Sequence, residues 1–416
     1  MTMATSEIGT TKRKLPPDWR WVRLGDVCKV VSGSTPLSGI EDYWGGDVVW
    51  ITPTDLGKLN EPYIMNSARR ITKAGYDSCG TELVPPGTVV LSSRAPIGHL
   101  GIATIPLCTN QGCKSFIPGE GVDSVYLYFA LEQSVSELQA LGSGATFAEV
   151  SKSQVEGFEI PLPPLSEQKR IAAILTEQMA TVERARAAAD AQMEAAKALS
   201  AAYLRAVFNS PEAQKWLRKR LGEVGKIVSG VTLGRKIHDT KTISVPYLRV
   251  ANVKDGRLEL SDVYRIEATE DEIEKCRLKF GDLLLTEGGD PDKLGRGMYW
   301  EEQIPVCIHQ NHIFRVRFDL NMFCPKFISA QFGSPYGKAY FLTHAKQTTG
   351  IATINQKVLA GFPLMVPSLS EQKRISTILD EKMAATEHYC KVLEDQLTAI
   401  NKLPSALLRQ AFNGGL

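Results

Sequence analysis

Side chains able to hydrogen-bond a nucleic-acid base gather on Gly-, Ser- and Thr-rich stretches of this chain. Arg or Lys donates to guanine in the major groove, and Asn or Gln meets both the donor and the acceptor of adenine. Ser92, Ser93 and Arg94, together with Asn110, Gln111 and Lys114, form one such group, and Arg69, Arg70 and Lys73 are cations suited to phosphate. A second group holds Arg235, Lys236, Arg249, Asn252, Lys293, Arg296, Gln310, Asn311 and His312. Lys346, Gln347, Thr348 and Thr349 make a further polar loop. Any one of these residues could equally be an ordinary solvent-facing side chain, so the expectation rests on the clusters.

Covalent chemistry is poorly provided for. The sequence has no Gly-x4-Gly-Lys-Ser/Thr phosphate loop and no Asn-Pro-Pro-aromatic or Asp-Pro-Pro-aromatic run; Asp290-Pro-Asp-Lys293 comes nearest and fails. Asp290 and Asp292 with Glu301 lack the Glu-x-Lys that a nuclease cluster would add. The glycine-rich stretch Thr286–Gly297 has no strand-to-helix pattern around it, so it reads as a ligand-facing loop and not as a phosphate cradle. Cys108-x4-Cys113 aligns with Cys307-x4-His312, but that spacing is not a zinc knuckle and no second ligand pair follows. Core packing is expected for these cysteines, and hydrogen bonding within its own globule for His312. No cofactor and no metal are expected in the chain itself.

The elements that must hold these loops come in two copies. Leu165-Ser-Glu-Gln-Lys-Arg-Ile171 returns as Leu369-Ser-Glu-Gln-Lys-Arg-Ile375. At the same offset Leu199, Ala202, Leu204, Arg205, Phe208 and Asn209 reappear as Leu403, Ala406, Leu408, Arg409, Phe412 and Asn413. Such internal symmetry decides architecture before any local signal does. More loosely, Trp21–Gly33 resembles Arg218–Gly230, Pro86–Leu91 answers Phe280–Leu285, and Asn110-Gln111 sits opposite His309-Gln310. Each copy is thus a variable block followed by a constant one.

The variable blocks read as mixed α/β globules. Short β-rich runs such as Val27–Val31, Val48–Ile51, Thr88–Leu91 and Ser115–Pro118 lie between Gly and Pro turns, and Ile243–Val250, Asp282–Thr286 and Ile313–Phe318 repeat the theme. Helices are expected over Ser124–Leu141 and around Pro325–Ala345. The constant blocks open on proline connectors, Pro161–Pro164 and Pro363–Pro367, expected to continue neither strand nor helix. Ser166 and Ser370 are then expected as N-caps, with Glu167 and Glu371 favourable in the first turn. Apolar residues follow at steps of three and four: Ile171, Leu175, Val182, Ala185, Ala189, Ala196, Leu199, Tyr203 and Ala206, then Ile375, Leu379, Thr386, Tyr389, Leu393, Ile400, Leu403 and Leu407. That pattern describes two equal helices with a coiled-coil seam, rods roughly 60 Å long. The expected architecture is α/β (α+β): two mixed globules separated by two long antiparallel helices forming a coiled coil, in a pseudo-twofold tandem repeat. The boundaries are 1–164, 165–210, 211–368 and 369–416.

Charge narrows the function. The net charge is only +2, and the segment 24–165 is acidic overall. An unaided nucleic-acid binder usually carries a basic excess, so either a locally basic face or a partner that supplies charge is expected. The polar start, Met1–Trp19, has no apolar stretch of signal-peptide length, and none of the eight cysteines forms a Cys-x-x-Cys pair. Reduced thiols in a cytoplasm, and no membrane, are expected.

At this point Pro161–Ile171 and its second copy, Gly144-Ala-Thr-Phe147, Leu91–Gly98, Thr286–Gly295 and His309–His312 resemble the specificity (S) subunits of type I restriction-modification systems. The resemblance covers nearly the whole chain. It implies two target recognition domains, each reading half of a split double-stranded DNA sequence, with the paired helices fixing the gap. It also implies a non-catalytic subunit docking two modification subunits, which carry S-adenosylmethionine and methylate adenine at N6. Restriction subunits using ATP and Mg would complete the assembly. Gln168, Arg170, Gln372 and Arg374, at the helix starts, are expected at the modification-subunit interface, and the turns Gly144–Phe147 and Gly350–Ile354 near it. A stand-alone bipartite DNA-binding protein is the alternative.

Overall fold

The apolar runs of the two variable blocks form a similar pair of small sheets in each globule. A computed structural model describes residues 14–142, 148–237, 241–289, 294–348 and 351–416. In the first globule a five-stranded sheet runs in the order Cys28–Ser32, Cys113–Pro118, Val89–Ser93, Ile97–Ala103, Tyr63–Ile64. Beside it lies a three-stranded sheet of Arg69–Ile71, Trp44–Ile51 and Cys108–Thr109. The second globule pairs Gly225–Ser229, Ile313–Phe318, Leu283–Thr286 and Gly297–Tyr299, and separately Tyr264–Ala268, Ile243–Leu248 and Ile308–His309. Trp50 faces Cys108 and Ile51 faces Thr109 in parallel register; Tyr247 and Ile308, Leu248 and His309 repeat the arrangement.

Each proline connector begins as a strand. Glu159–Leu162 pairs antiparallel with Arg20–Arg23, and Pro363–Val366 with Leu217–Arg220. The expectation that proline would stop a strand holds at Pro163 and Pro367, before which the strands end, but fails at Pro161 and Pro363, which lie within two-stranded ribbons. A proline on an edge strand loses no ladder bond when its missing N–H faces outward. The helix starts also differ from expectation. The N–H groups of Glu167 and Gln168 both reach the Pro164 carbonyl, at 2.9 and 3.0 Å, so the first helix begins at Leu165 and Ser166 lies inside it. In the second copy Ser368, not Ser370, supplies the capping oxygen, accepting from Glu371 N–H at 3.3 Å.

The first helix runs unbroken from Leu165 to Phe208, but the second stops at Ile400 and restarts as Leu403–Phe412. Pro404 is the cause, for it cannot donate to the preceding turn and its ring collides with that turn's carbonyl. The first copy carries Ser200 at the matching place. Along the seam Val182, Ala189 and Ala196, and Thr386, Leu393 and Ile400, are buried at heptad spacing. Ala185, Ala206, Tyr389 and Leu403 were expected there and are exposed.

Two compact units result: Met1–Ala188 with Gln396–Leu416, and Ala189–Asp395. Each contains a globule, the start of the long helix that follows that globule, and the end of the other long helix. Phe412 from the second constant block packs on Tyr126 of the first globule, ring centroids 5.4 Å apart, with Ile171 and Leu175 in the same core. Phe208 from the first constant block packs on Phe327 of the second globule at 5.5 Å, with Ile375 and Leu379. Each phenylalanine is fully buried and contributes about 2–3 kcal/mol by transfer alone. The helices expected over Ser124–Leu141 and Pro325–Ala345 are each two shorter ones, Ser124–Gln133 with Val135–Leu141 and Pro325–Gly333 with Pro335–His344. Among the described residues no helix is long and apolar enough to cross a membrane.

Candidate nucleic-acid interface

The two globules share a loop site whose backbone frame can be superposed bond by bond. In the first, Asn110 N–H donates to Ile51 O (2.9 Å), Cys113 N–H to Asn110 O (3.1 Å), Ser93 N–H to Gly112 O (2.8 Å) and Val150 N–H to Ser93 O (3.0 Å). In the second, Gln310 N–H donates to Leu248 O (2.9 Å), Ile313 N–H to Gln310 O (2.9 Å), Glu287 N–H to His312 O (2.9 Å) and Ile354 N–H to Glu287 O (2.8 Å). The frame is closed on one side by a glycine. A Cβ on Gly33 would sit 2.2 Å from the carbonyl oxygens of Thr109 and Asn110, and one on Gly230 would sit 1.9 Å from that of His309. No other residue allows the strand end to lie so close. Asn110 therefore corresponds to Gln310 and Gln111 to Asn311, one residue off the sequence alignment of Asn110-Gln111 with His309-Gln310. The same frame matches Cys113 with Ile313, which removes the basis for pairing Cys108-x4-Cys113 with Cys307-x4-His312.

In the first site Arg94 and Lys114 converge on Glu149. Arg94 Nη1 lies 3.8 Å and Lys114 Nζ 3.6 Å from its carboxylate, and Lys114 also donates to Ser93 Oγ (3.2 Å) and Gln111 O (3.4 Å). Burial pulls Lys114 below the usual lysine range, and Glu149 opposes that shift. Asn110 Oδ1 accepts from Gly112 N–H at 2.9 Å, which tightens the turn, and Thr35 Oγ1 donates to Gln111 Oε1. Ser92, Ser93 and Lys114 are buried, so these three predicted contacts instead hold the loop. Ser92 Oγ, for example, accepts from His99 N–H and donates to Pro96 O, both at 2.8 Å.

In the second site His312 Nδ1 lies 2.6 Å from Glu287 Oε2, Asn311 Nδ2 is 3.3 Å from His312 Nε2, and Gln310 Oε1 accepts from Val250 N–H at 3.1 Å. Asn252 is buried with its amide used up, donating to the carbonyls of Glu259 (2.8 Å) and Asp262 (2.9 Å) and accepting from Arg249 N–H (2.8 Å). Arg235 is locked in a two-pronged pair with Glu272, whose carboxyl is held below its ordinary range by that guanidinium. Arg249 pairs with Asp262 at 2.8 Å and lies over the Tyr264 ring. Lys236, Lys346 and Gln347 are exposed, Arg296 is half-buried, and Lys293 lies outside the described residues, as do Gly144–Phe147, Thr349, Gly350, Asp290 and Asp292.

The cations expected at phosphate are partly engaged. Arg69 stacks 3.7 Å over the Trp44 ring, Arg70 donates to Asn66 Oδ1 at 2.9 Å, and Lys73 pairs with Asp77 at 2.5 Å. At the helix starts the sequence expectation divides. Gln168 and Gln372 are fully buried. Gln168 Oε1 accepts from Asp123 N–H (2.9 Å) while its Nε2 donates to Gly121 O (3.0 Å) and Pro163 O (2.9 Å). Gln372 repeats this with Cys324 N–H (2.9 Å), Met322 O (3.2 Å) and Pro367 O (3.0 Å). These glutamines tie each globule to its helix and are closed to a partner. Arg170 and Arg374 stay exposed, each paired with the glutamate three residues before it. Glu149, Glu287, Thr35 and Trp44 were not expected from sequence; the only signal was that Glu287 falls within the singled-out stretch Thr286–Gly295.

Neither site is an enclosed pocket. The open cavity of about 800 Å³ in the first unit is lined by Trp21, Glu137, Phe158 and Phe412, and the one of about 600 Å³ in the second by Tyr299, Lys326 and Asp380. Among the described residues no three His, Cys, Asp or Glu side chains gather to hold a metal, and burial pushes the Cys108 and Cys113 thiols up to about 11 and about 12.

A duplicated chain with two matching frames and two different polar fillings defines a two-headed recognition protein. Residues 16–188 and 213–391 both match the family described as Type I restriction modification DNA specificity domain, and the chain belongs to that family. It is 35% identical over 258 residues to the MjaIX specificity subunit of Methanocaldococcus jannaschii, a match covering 58% of this chain and 60% of that one. It is 25% identical to the EcoKI specificity subunit of Escherichia coli K12, over 97% of this chain and 90% of the relative. The solved HsdS subunit from Thermoanaerobacter tengcongensis shares the fold at 20% identity, with a TM-score of 0.65 over 98% of this chain and 99% of that one.

Proposed function

We propose that this chain is the DNA sequence-recognition subunit of a type I restriction-modification complex. It reads a two-part double-stranded target, one half with each globule (1–164 and 211–368), and the paired helices (165–210 and 369–416) set the gap. The reading rests on one observation: the same hydrogen-bonded loop frame occurs twice and carries different side chains each time. Two different half-sites need that combination. The subunit is non-catalytic and works in the cytoplasm, docking two modification subunits that bring S-adenosylmethionine to adenine N6 and restriction subunits that bring ATP and Mg. Arg170 and Arg374 remain candidates for that docking, since they stay exposed at the two helix starts.

A stand-alone DNA binder fits less well. Arg235, Arg249 and Lys73 all pair closely with carboxylates, and cations so engaged have little charge left for phosphate. The test is long-read methylation mapping of a plasmid from cells expressing this chain with its neighbouring methyltransferase. N6-methyladenine in one split motif, absent when this chain is omitted, is the expected result. A soluble complex that methylates nothing new refutes the proposal.

A further inference from the structure

The matching frames allow the two loop sites to be compared position by position, and their chemistry is opposite. Ser93 and Glu287 occupy one place, since each donates its N–H to the loop carbonyl of Gly112 or His312 and accepts from Val150 or Ile354 N–H. In the first site the next residue is Arg94, and the buried neighbour is Lys114; in the second the next is Gly288, and Phe314 follows Ile313 as Lys114 follows Cys113. Beside this shared place the first site offers a donor, Arg94, and the second an acceptor, Glu287.

Arg94 is positioned for use. Its side chain is 35% exposed, and only Nη1 approaches Glu149, at a loose 3.8 Å, so most of its five N–H donors remain available. Glu149 is itself anchored by Lys114, whose side chain is only 5% exposed. A buried lysine thus fixes a carboxylate that steers an arginine outward. In the second site Glu287 Oε2 takes His312, leaving Oε1 without a partner among the described residues on a side chain 33% exposed.

We infer that the half-site under the first globule contains a guanine read by Arg94, and that under the second contains a cytosine read by Glu287. Arginine bonds both guanine acceptors, O6 and N7, and a carboxylate accepts from the cytosine N4 amino group. Glu287 prefers cytosine to adenine because it has no donor to give adenine N7. This inference rests on the DNA-recognition reading above.

The experiment maps methylation by the full chain with its methyltransferase, comparing wild type with Arg94→Ala and Glu287→Gln. Arg94→Ala should lower discrimination for guanine at one position of one half-site roughly ten- to a hundredfold, leaving the other half unchanged. Glu287→Gln should do the same at a cytosine of the opposite half. In each variant the untouched half-site reports that the protein is folded and assembled. A third variant, Lys114→Met, should blur the same guanine as Arg94→Ala. Unchanged base preference in both variants, or relaxation in the same half-site, overturns the assignment while the split motif itself upholds the recognition reading. No split motif with wild type overturns both.

Discussion

Replacing Gln168 by alanine should separate a structural clamp from a docking residue. The amide makes three bonds, to Asp123 N–H at 2.9 Å and to the carbonyls of Gly121 at 3.0 Å and Pro163 at 2.9 Å, and the residue is fully buried. Truncation strands one donor and two acceptors, each costing about 1–3 kcal/mol when water cannot reach it. Relaxation and partial hydration of the carbonyls bring the expected total to about 3–5 kcal/mol, a large part of a domain's usual stability. For a unit of this size that lowers its unfolding midpoint by roughly 10 °C. Differential scanning calorimetry of the full chain would read the midpoint, and hydrogen exchange at the Asp123 amide would read the broken bond directly. Gln372→Ala should act in the same way at Cys324 in the other unit. If Gln168→Ala leaves the midpoint and the Asp123 protection unchanged but abolishes co-purification with the modification subunit, the clamp argument is wrong.

The two globules should also answer to pH in opposite directions. Burial and the nearby Arg315 lower His309 from 6.5 to about 4, so the unfolded chain protonates first on acidification and stability falls between pH 6.5 and 4. His309→Thr, the residue the first globule carries, should recover on the order of 3 kcal/mol near pH 4 by chemical denaturation, and no gain at that pH would count against it. Burial raises Glu132 from 4.5 to about 7, so the folded form holds its proton longer and stability falls as pH rises through that window. Glu132→Gln should therefore be neutral at pH 4.5 and stabilising, on the order of 3 kcal/mol at most, above pH 7; equal effects at both would rule out this account. Deleting 182–188 together with 386–392 removes about 10 Å of helix, about three base pairs, and should shorten the preferred gap in methylation mapping with both half-sites intact. An unchanged gap would end the idea that the helices measure it.

The periodic features were the legible ones. Ile313–Phe318 is a strand with the predicted bounds, and heptad spacing found Val182, Ala189, Leu393 and Ile400 in the seam. Both depend on residues close in sequence. Pro404 shows a local signal that the seam reading overrode, since Leu403 was kept as a seam position and is 44% exposed beside the break. The loop sites were half legible. Their polar residues could be named, but whether Lys114 or Ser92 faces water depends on strands that meet across the register. Lys114 pairs with Leu91, and its carboxylate partner Glu149 lies beyond an intervening helical region. Gln168 and Gln372 were visible as a repeat, and their burial follows from where Gly121 and Met322 pass, which no spacing within the repeat encodes.

The exchange of Phe208 and Phe412 has a consequence for synthesis. All of Ala189–Asp395 leaves the ribosome as one continuous stretch, so that unit can close while translation continues. The other unit draws on Gln396–Leu416, and its Tyr126 stays uncovered until Phe412 has been made. The globule translated first is therefore completed last. During that interval it exposes an aromatic surface that a chaperone, or another nascent copy of the chain, can reach.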